Sequence, residues 1–313
     1  MRRYQTILVG AALDERDATT LRHAARFAHA AQSQNVYLAH VAPSFDVPPE
    51  VLAKQPDLIV PRDEEIQRRL QAMIEQYRPL FPEKTSFQAV IREGQRTVEL
   101  IRLLSQKSAD LFCLATQPPE RHDVLSYTAL KLMRKSPCSV FLVTPGASTD
   151  YHRILAPIDF SDHSREALEV AIAVAHATAG ASLTIEHIYE VPLGWHKTGR
   201  TYEEFAAIMK DNAEERWRSF SAQIDFKGVP WMIRFDLSDN VTRKILQSAE
   251  EIQADLIVMG SHGRTGPANF ILGHVADTVC SQTRRPVLCV KRKGEIVNFL
   301  HALLQFYGFE ESN

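Results

Sequence analysis

The sequence has few cysteines and no long apolar run, and both shortages restrict what the protein can be. Its four cysteines are too sparse for a disulfide-stabilised secreted scaffold and lack the close pairing of a zinc site: Cys113, Cys138, Cys280 and Cys289. No uninterrupted apolar stretch approaches the roughly 20 residues that a membrane-spanning helix requires. We therefore expect a protein of the reducing cytoplasm, with no membrane segment and no structural metal.

An excess of charge of either sign is also absent. The 36 Lys and Arg residues are nearly balanced by 38 Asp and Glu residues. Such a chain has no strong field to attract phosphate backbones or an anionic bilayer, so neither nucleic acid nor a membrane is expected as a partner. With 313 residues, of which 45% are hydrophobic, the chain is long enough for about two ordinary domains.

The chain contains two copies of one sequence pattern. The apolar run at residues 7–10 returns at residues 154–157, and the run at 140–143 returns at 287–290, a displacement of 147 positions in both cases. So long a period indicates duplicated domains and not a solenoid, whose repeats span about 20–50 residues. A short turn-forming linker separates the copies. We predict one domain over residues 1–146 and a second over residues 150–293.

Each copy alternates short, β-rich apolar runs with longer amphipathic stretches. This alternation is typical of βαβ units around a mostly parallel sheet, which predicts an α/β fold of two tandem doubly wound, Rossmann-like domains. The predicted strands lie near residues 5–10, 35–40, 86–91, 110–115 and 140–143 in the first copy, and near 153–158, 183–188, 231–235, 255–259 and 287–291 in the second. Helices are expected between them.

A further amphipathic helix is predicted over residues 294–313. Its apolar side chains recur at helical intervals: Ile296, Phe299, Leu300, Leu303, Leu304 and Tyr307. The helix could dock on its own domain, or it could bind a partner or a membrane surface. Docking is favoured because the polar face is not basic.

A glycine-containing loop follows the predicted strand at 255–259. Gly260 stands at the strand exit, Gly263 in the loop and Gly273 at the start of the next helix. Glycine lets a phosphate approach backbone N–H groups closely, and a helix N-terminus adds partial positive charge. Because ligands of doubly wound sheets bind outside the carboxyl ends of the strands, we expect the loop to face Asp159. The alternative is that the glycines only make a turn and that Asp159 only caps a helix.

These glycines form part of a wider resemblance. Three features of the second copy resemble the universal stress protein family. They are the spacing of the glycines, the first strand of this copy with its proline and aspartate at residues 154–161, and the pair His187 and Ile188. The resemblance covers nearly all of both copies. It implies a five-stranded parallel sheet of order 3-2-1-4-5 in each domain and a role in the stress response.

The nucleotide-binding branch of that family holds ATP or a related adenine nucleotide. By this resemblance, Gly260, Gly263 and Gly273 would offer backbone to the phosphates. Asp159 would meet the ribose or adenine, and Ile188 would present main chain to the base.

Two further residues belong to the implied site. Arg264 could lie along the phosphates. His274 stands where ATP-binding members usually have Ser or Thr after the last glycine, and its imidazole could donate to phosphate or crowd the pocket. AMP, ADP or another phosphate ligand therefore stays open beside ATP.

The first copy has lost the corresponding residues. In place of Asp159 and the glycines it has Ala12, Ala115, Pro118 and Ser126, followed by Tyr127. Proline has no N–H to offer a phosphate. We interpret the first domain as a structural or regulatory partner. Domains of this family commonly dimerise through their last strands, so the tandem chain is expected to form an internal pseudo-dimer, and a homodimer of the whole chain is a further hypothesis.

Three functions remain open. The first is a nucleotide-dependent regulator that acts on an unknown protein partner. The second is an interaction or scaffold protein without nucleotide, and the third is a slow ATPase in which Asp159 or His274 assists water. Enzyme chemistry is the least favoured, because the sequence has neither a nucleophile elbow nor a Walker lysine after the loop.

Overall fold

The computed structural model describes residues 3–44, 49–54, 62–117, 124–263 and 272–292. The predicted C-terminal helix at 294–313, together with Arg264 and Pro118, lies outside the described residues.

The first unit contains β1 Thr6–Gly10, α1 Arg16–Ala31, β2 Asn35–Ala42, α2 Pro49–Lys54, α3 Arg62–Tyr77, β3 Ser86–Glu93, α4 Arg96–Gln106, β4 Leu111–Ala115, α5 Tyr127–Lys135 and β5 Ser139–Val143.

The second unit repeats this order of strands. It contains β6 Arg153–Ile158, α6 Asp162–His176, β7 Ser182–Tyr189, α7 Tyr202–Ser221, β8 Trp231–Leu237, α8 Val241–Glu251, β9 Leu256–Gly260, α9 His274–Gln282 and β10 Val287–Val290. Every predicted strand occurs, with its ends within two residues of the predicted ones. Within the described ranges, no helix is both long enough and apolar enough to cross a membrane.

All ten strands form one sheet, in the order β3-β2-β1-β4-β5-β10-β9-β6-β7-β8. Pairing is parallel inside each unit, so each half has the predicted order 3-2-1-4-5 and the fold prediction is confirmed. The two halves meet where β5 and β10 pair antiparallel, with Leu142 opposite Val287 and Val140 opposite Cys289. The last strands of the units therefore make the internal pairing expected of a pseudo-dimer.

Helices cover both faces of the sheet because successive strand residues point to opposite sides. Ile7 and Val9 of β1 pack on the face covered by α1, α3, α6 and α7, whereas Leu8 packs on the opposite face beneath α4, α5, α8 and α9. Each of the two resulting apolar clusters contains side chains from both units. The hydrophobic core therefore continues across the β5–β10 junction.

The strand order also decides where a ligand site can form. In the second unit, β6 lies between β7 and β9, so the chain leaves β6 towards one side of the sheet and later returns on the other. At such a switch point, the loops after the two central strands diverge and leave a crevice at their carboxyl ends. The loop after β6 carries Asp159, and the loop after β9 carries the glycines.

A buried histidine joins α1 to the chain that links the two units. His23 is fully buried, and its ring lies 5.6 Å from that of Phe141. The Nε2–H donates to the carbonyl oxygen of Ala147 over 3.2 Å, and Nδ1 accepts from the hydroxyl of Tyr151. This tautomer is required because a carbonyl oxygen can only accept. Burial lowers the pKa of His23 to about 4, although the bond to Ala147 partly opposes the shift.

His23 should make the fold less stable in acid. Its folded pKa of about 4 lies below its unfolded value, so the unfolded chain takes up the proton first as the pH falls below about 6.5. Between about pH 7 and about pH 4.5, we expect the wild-type free energy of unfolding to fall by about 2 kcal/mol more than that of His23→Gln. Urea unfolding at several pH values measures the difference.

The exposed His29 on the same helix is the matched control, and His29→Gln should keep the wild-type dependence of unfolding free energy on pH. Equal profiles for wild type and His23→Gln would contradict this assignment.

Candidate functional site

A cavity of about 440 Å³ lies at the carboxyl ends of β6, β7 and β9. Its walls come from these strand ends, from the loop after β9, from α8 and from the first turn of α9. The structure brings six of the seven residues predicted for the site to this cavity: Asp159, Ile188, Gly260, Gly263, Gly273 and His274. The seventh, Arg264, is outside the described residues.

Gly260 allows the end of β9 to pass against the start of α6. A Cβ atom at this position would lie 3.0 Å from both the carbonyl carbon and the carbonyl oxygen of His163. Backbone cannot move aside as a flexible side chain can, so a Cβ atom at this position would strain the approach. The close contact holds the start of the glycine loop beside the N-terminus of α6.

Gly263 lies directly against Asp159. A Cβ atom on Gly263 would come within 2.8 Å of Asp159 Oδ2. The other oxygen, Oδ1, accepts from the N–H of Ser161 over 3.0 Å and from its hydroxyl over 2.5 Å. Ser161 is the N-cap of α6 and accepts from the N–H of Ser164. Asp159 therefore orients the capping residue instead of capping the helix itself, and its carboxylate remains at the cavity wall.

Gly273 is the N-cap residue of α9, and as glycine it offers no side-chain cap. Its N–H donates to the carbonyl oxygen of Ser261 over 2.8 Å, and the N–H of Ser261 donates to Val290 over 2.9 Å, which ties the loop and the helix start to the sheet. In the first unit, Ser126 caps α5 by accepting from the N–H of Ala129. The first turn of a helix has N–H groups without helical partners. In α5 one of them is satisfied by serine, whereas the start of α9 lines the cavity without such a cap.

The opposite end of the cavity is apolar. Its walls include Ile188 of β7, Val241 and Ile245 of α8, and Met259 of β9. Ile245 is buried on α8, and helical periodicity in a sequence does not distinguish a core position from a cavity wall. The cavity thus combines a backbone-rich polar end with an apolar end.

Two histidines stand at the polar end. His274 is exposed at the first position of α9, and His262 lies in the loop with Nδ1 3.0 Å from the hydroxyl oxygen of Ser261. The ring of His262 is also 5.2 Å from that of His163. His262 was not predicted, although its place between two of the glycines was a signal. The described residues contain no group of three or more His, Cys, Asp or Glu side chains that could hold a metal ion.

A buried carboxyl group also lines the cavity, and the sequence analysis missed it. Glu186 of β7 is 0% exposed, and the hydroxyl of Ser248 on α8 donates to its Oε1. Burial raises the pKa of Glu186 to about 7, and the negative charge of Asp236 acts in the same direction, while the bond from Ser248 opposes the shift. The signal for Glu186 was an acidic residue in a predicted strand, next to the apolar Ile185.

Comparison with known proteins identifies relatives for both halves. The model of the universal stress protein family matches residues 3–144 and again residues 150–291. A universal stress protein of Methanocaldococcus jannaschii is 31% identical over 143 residues, which are 45% of this chain and 83% of that protein. One from Thermus aquaticus is 33% identical over 141 residues, covering 45% of this chain and 99% of the relative.

Solved structures resemble the whole chain. The crystal structure of a putative universal stress protein from Pseudomonas aeruginosa superposes with a TM-score of 0.69 at 18% identity, covering 96% of this chain and 98% of the other. Identity this low supports the fold alone. Because the two family matches together cover most of the sequence, the chain belongs to the universal stress protein family as a tandem, two-domain member.

Proposed function

We propose that the second unit binds an adenine nucleotide, ATP, ADP or AMP, and that the protein acts in the stress response as a nucleotide-dependent regulator. One observation supports this above the others. The three spaced glycines, the start of α9 and an apolar wall meet in a single cavity at the switch point of the sheet. This is where doubly wound domains bind nucleotides.

The two ends of the cavity suit the two ends of a nucleotide. Phosphates would lie beside Gly260, Gly263 and Gly273, at the positive end of α9. The base would lie between Ile188 and the apolar side chains of α8, with Asp159 near the ribose. A volume of about 440 Å³ falls in the range of small-molecule sites, about 300–1,000 Å³.

Regulation is favoured over catalysis by what surrounds the site. Asp159 already accepts two hydrogen bonds from Ser161, an arrangement that orients the carboxylate without aiming it as a base. The helix whose start would hold phosphate is joined to the first unit, since Arg134 of α5 donates to both carboxylate oxygens of Asp277 on α9, over 2.7 and 2.8 Å. A ligand at α9 would therefore act on a helix that contacts the other domain and, through it, a protein partner.

Two other features bear on the cellular compartment and on the oligomeric state. All four cysteines are free and buried, as suits a reducing compartment such as the cytoplasm. The last strands β5 and β10 are already paired within the chain, so a homodimer of whole chains would use other surfaces, for example the sheet edges at β3 and β8.

Bound nucleotide should accompany the purified protein, and binding should depend on Gly263. Mass spectrometry of small molecules released on denaturation is expected to find an adenine nucleotide. In Gly263→Ala, the new methyl group would displace Asp159 and narrow the loop, so we expect ATP binding to weaken by about tenfold or more, or about 1.4 kcal/mol. Calorimetric titration of the folded variant measures this. The matched control is Gly10→Ala in the first unit, where the added atom meets the apolar side chains of Leu114 and Phe112 and none of the residues that line the cavity, and it should bind ATP as the wild type does.

The same measurements separate the three functions. Wild-type affinity in folded Gly263→Ala would contradict the placement of the site. A protein that carries no nucleotide, and whose melting temperature no nucleotide shifts, would instead be the interaction or scaffold protein. Phosphate release from ATP above a heat-denatured control would indicate the slow ATPase, and its absence would exclude that activity.

A further inference from the structure

Glu186 is an ionisable side chain that the fold of the second unit does not require. Its residue is 0% exposed, it lines the cavity, and its Oε2 has no hydrogen-bond partner among the described residues. Leaving a buried carboxyl oxygen unsatisfied costs stability. A polar atom kept at that cost beside a ligand cavity suggests that the ligand completes its hydrogen bonding.

The chain carries its own comparison for this position. Glu186 lies opposite Pro157 in the sheet, and the equivalent residue of the first unit, opposite Gly10, is Ala39. Ser248 is the eighth residue of α8, and the eighth residue of α4 is Leu103. The first unit thus has two buried apolar side chains where the second has a hydrogen-bonded acid and hydroxyl.

The cross-strand neighbour changes in the same way. Ala39 pairs with Val90 of β3, whereas Glu186 pairs with Arg234 of β8. The apolar version folds in the same sheet, so the polar version is not needed for the architecture. It occurs in the unit that has the glycine loop and not in the unit that has lost it.

A neutral carboxyl group matches the edge of adenine. With Oε1 accepting from Ser248, the proton of the acid form lies on Oε2, which can donate to a ring nitrogen while Oε1 accepts from the neighbouring 6-amino group. A carboxylate has acceptors only and would oppose the lone pair of the ring nitrogen. The match therefore requires the protonated acid.

We propose that Glu186 is a specificity-determining residue of the nucleotide site, whose neutral carboxyl group recognises the amino group and adjacent ring nitrogen of adenine. This inference rests on the proposed function, since it assumes that the cavity receives a nucleotide. The side chain of Glu186 would then recognise the base in addition to the main chain of Ile188 and the contacts of Asp159.

The surroundings of Glu186 keep the acid form populated near neutral pH. Burial raises its pKa to about 7, and Asp236 of β8 adds to the rise. The cations Arg234 of β8 and Lys244 of α8 act against it, but both are engaged by Asp236, at 3.3 Å and 3.1 Å. On the β6 side, the facing residue is the uncharged Pro157. Adenine affinity should therefore decrease as the pH rises through about 7.

Two variants of the full chain test the inference. Glu186→Gln keeps one donor and one acceptor, the pattern with which glutamine recognises adenine, but cannot ionise. Glu186→Ala combined with Ser248→Leu installs the apolar pair of the first unit and should fold for that reason. Each protein is titrated calorimetrically at pH 6 and pH 8 with ATP and with purine riboside 5′-triphosphate, which lacks the 6-amino group.

Wild-type protein should bind ATP about tenfold more weakly at pH 8 than at pH 6, because the protonated fraction of Glu186 falls by about that factor. This change is counted beyond any change that Glu186→Gln also shows. Glu186→Gln should keep the stronger binding at both pH values. Comparing the two proteins cancels the titration of the histidines and of the nucleotide itself. The double variant should bind ATP at least about tenfold more weakly at pH 6 and no longer prefer it to the analogue.

Identical pH profiles for wild type and Glu186→Gln, or unchanged base preference in the double variant, would overturn the inference. If ATP binding is sensitive to Gly263→Ala and insensitive to both Glu186 variants, the proposed function stands and the role of Glu186 is wrong. If wild-type protein binds no nucleotide at either pH, both are wrong.

Discussion

The antiparallel pairing of β5 with β10 is the interaction on which the rest of the structure depends. It turns two parallel sheets into one sheet of ten strands and makes both apolar clusters continuous between the units. Without it, each unit would expose an edge strand made almost wholly of buried residues, Ser139–Val143 or Val287–Val290, and such edges promote aggregation. The linker contacts of His23 and the ion pair between α5 and α9 lie around this pairing and reinforce it.

Within this shared sheet the two units have become different. The first has buried Ala39 and Leu103 and a serine N-cap on α5, whereas the second has at the equivalent positions the buried acid Glu186, its partner Ser248 and a helix start without a side-chain cap. The difference at the site is chemical, since the strand order is the same in both units and helices lie between the successive strands of each. A duplicated domain can change in this way because one copy is enough to supply the complementary edge strand.

Much of the fold could be predicted from the sequence, and less of the site. Strands buried on both faces are continuous apolar runs, and a displacement of 147 positions revealed the duplication directly. The glycine spacing located the loop because close backbone approach leaves few alternatives to glycine. Glu186 was missed because its partner Ser248 lies 62 residues away and its burial depends on a helix packed over the strand. Interactions of that kind are decided by tertiary contacts, which local sequence patterns do not encode.

The fusion of the two units also limits the shape of the binding curve that the protein can show as ligand concentration rises. A symmetric dimer with two equivalent cavities can bind its first and second ligands with different affinities, which sharpens or broadens its response. In the tandem chain, the second unit has the glycine loop and a helix start without a side-chain cap, whereas Ser126 caps the corresponding helix α5 of the first unit. Under the proposed function, a single chain would therefore titrate along a simple hyperbola, and a steeper response would require the association of several chains.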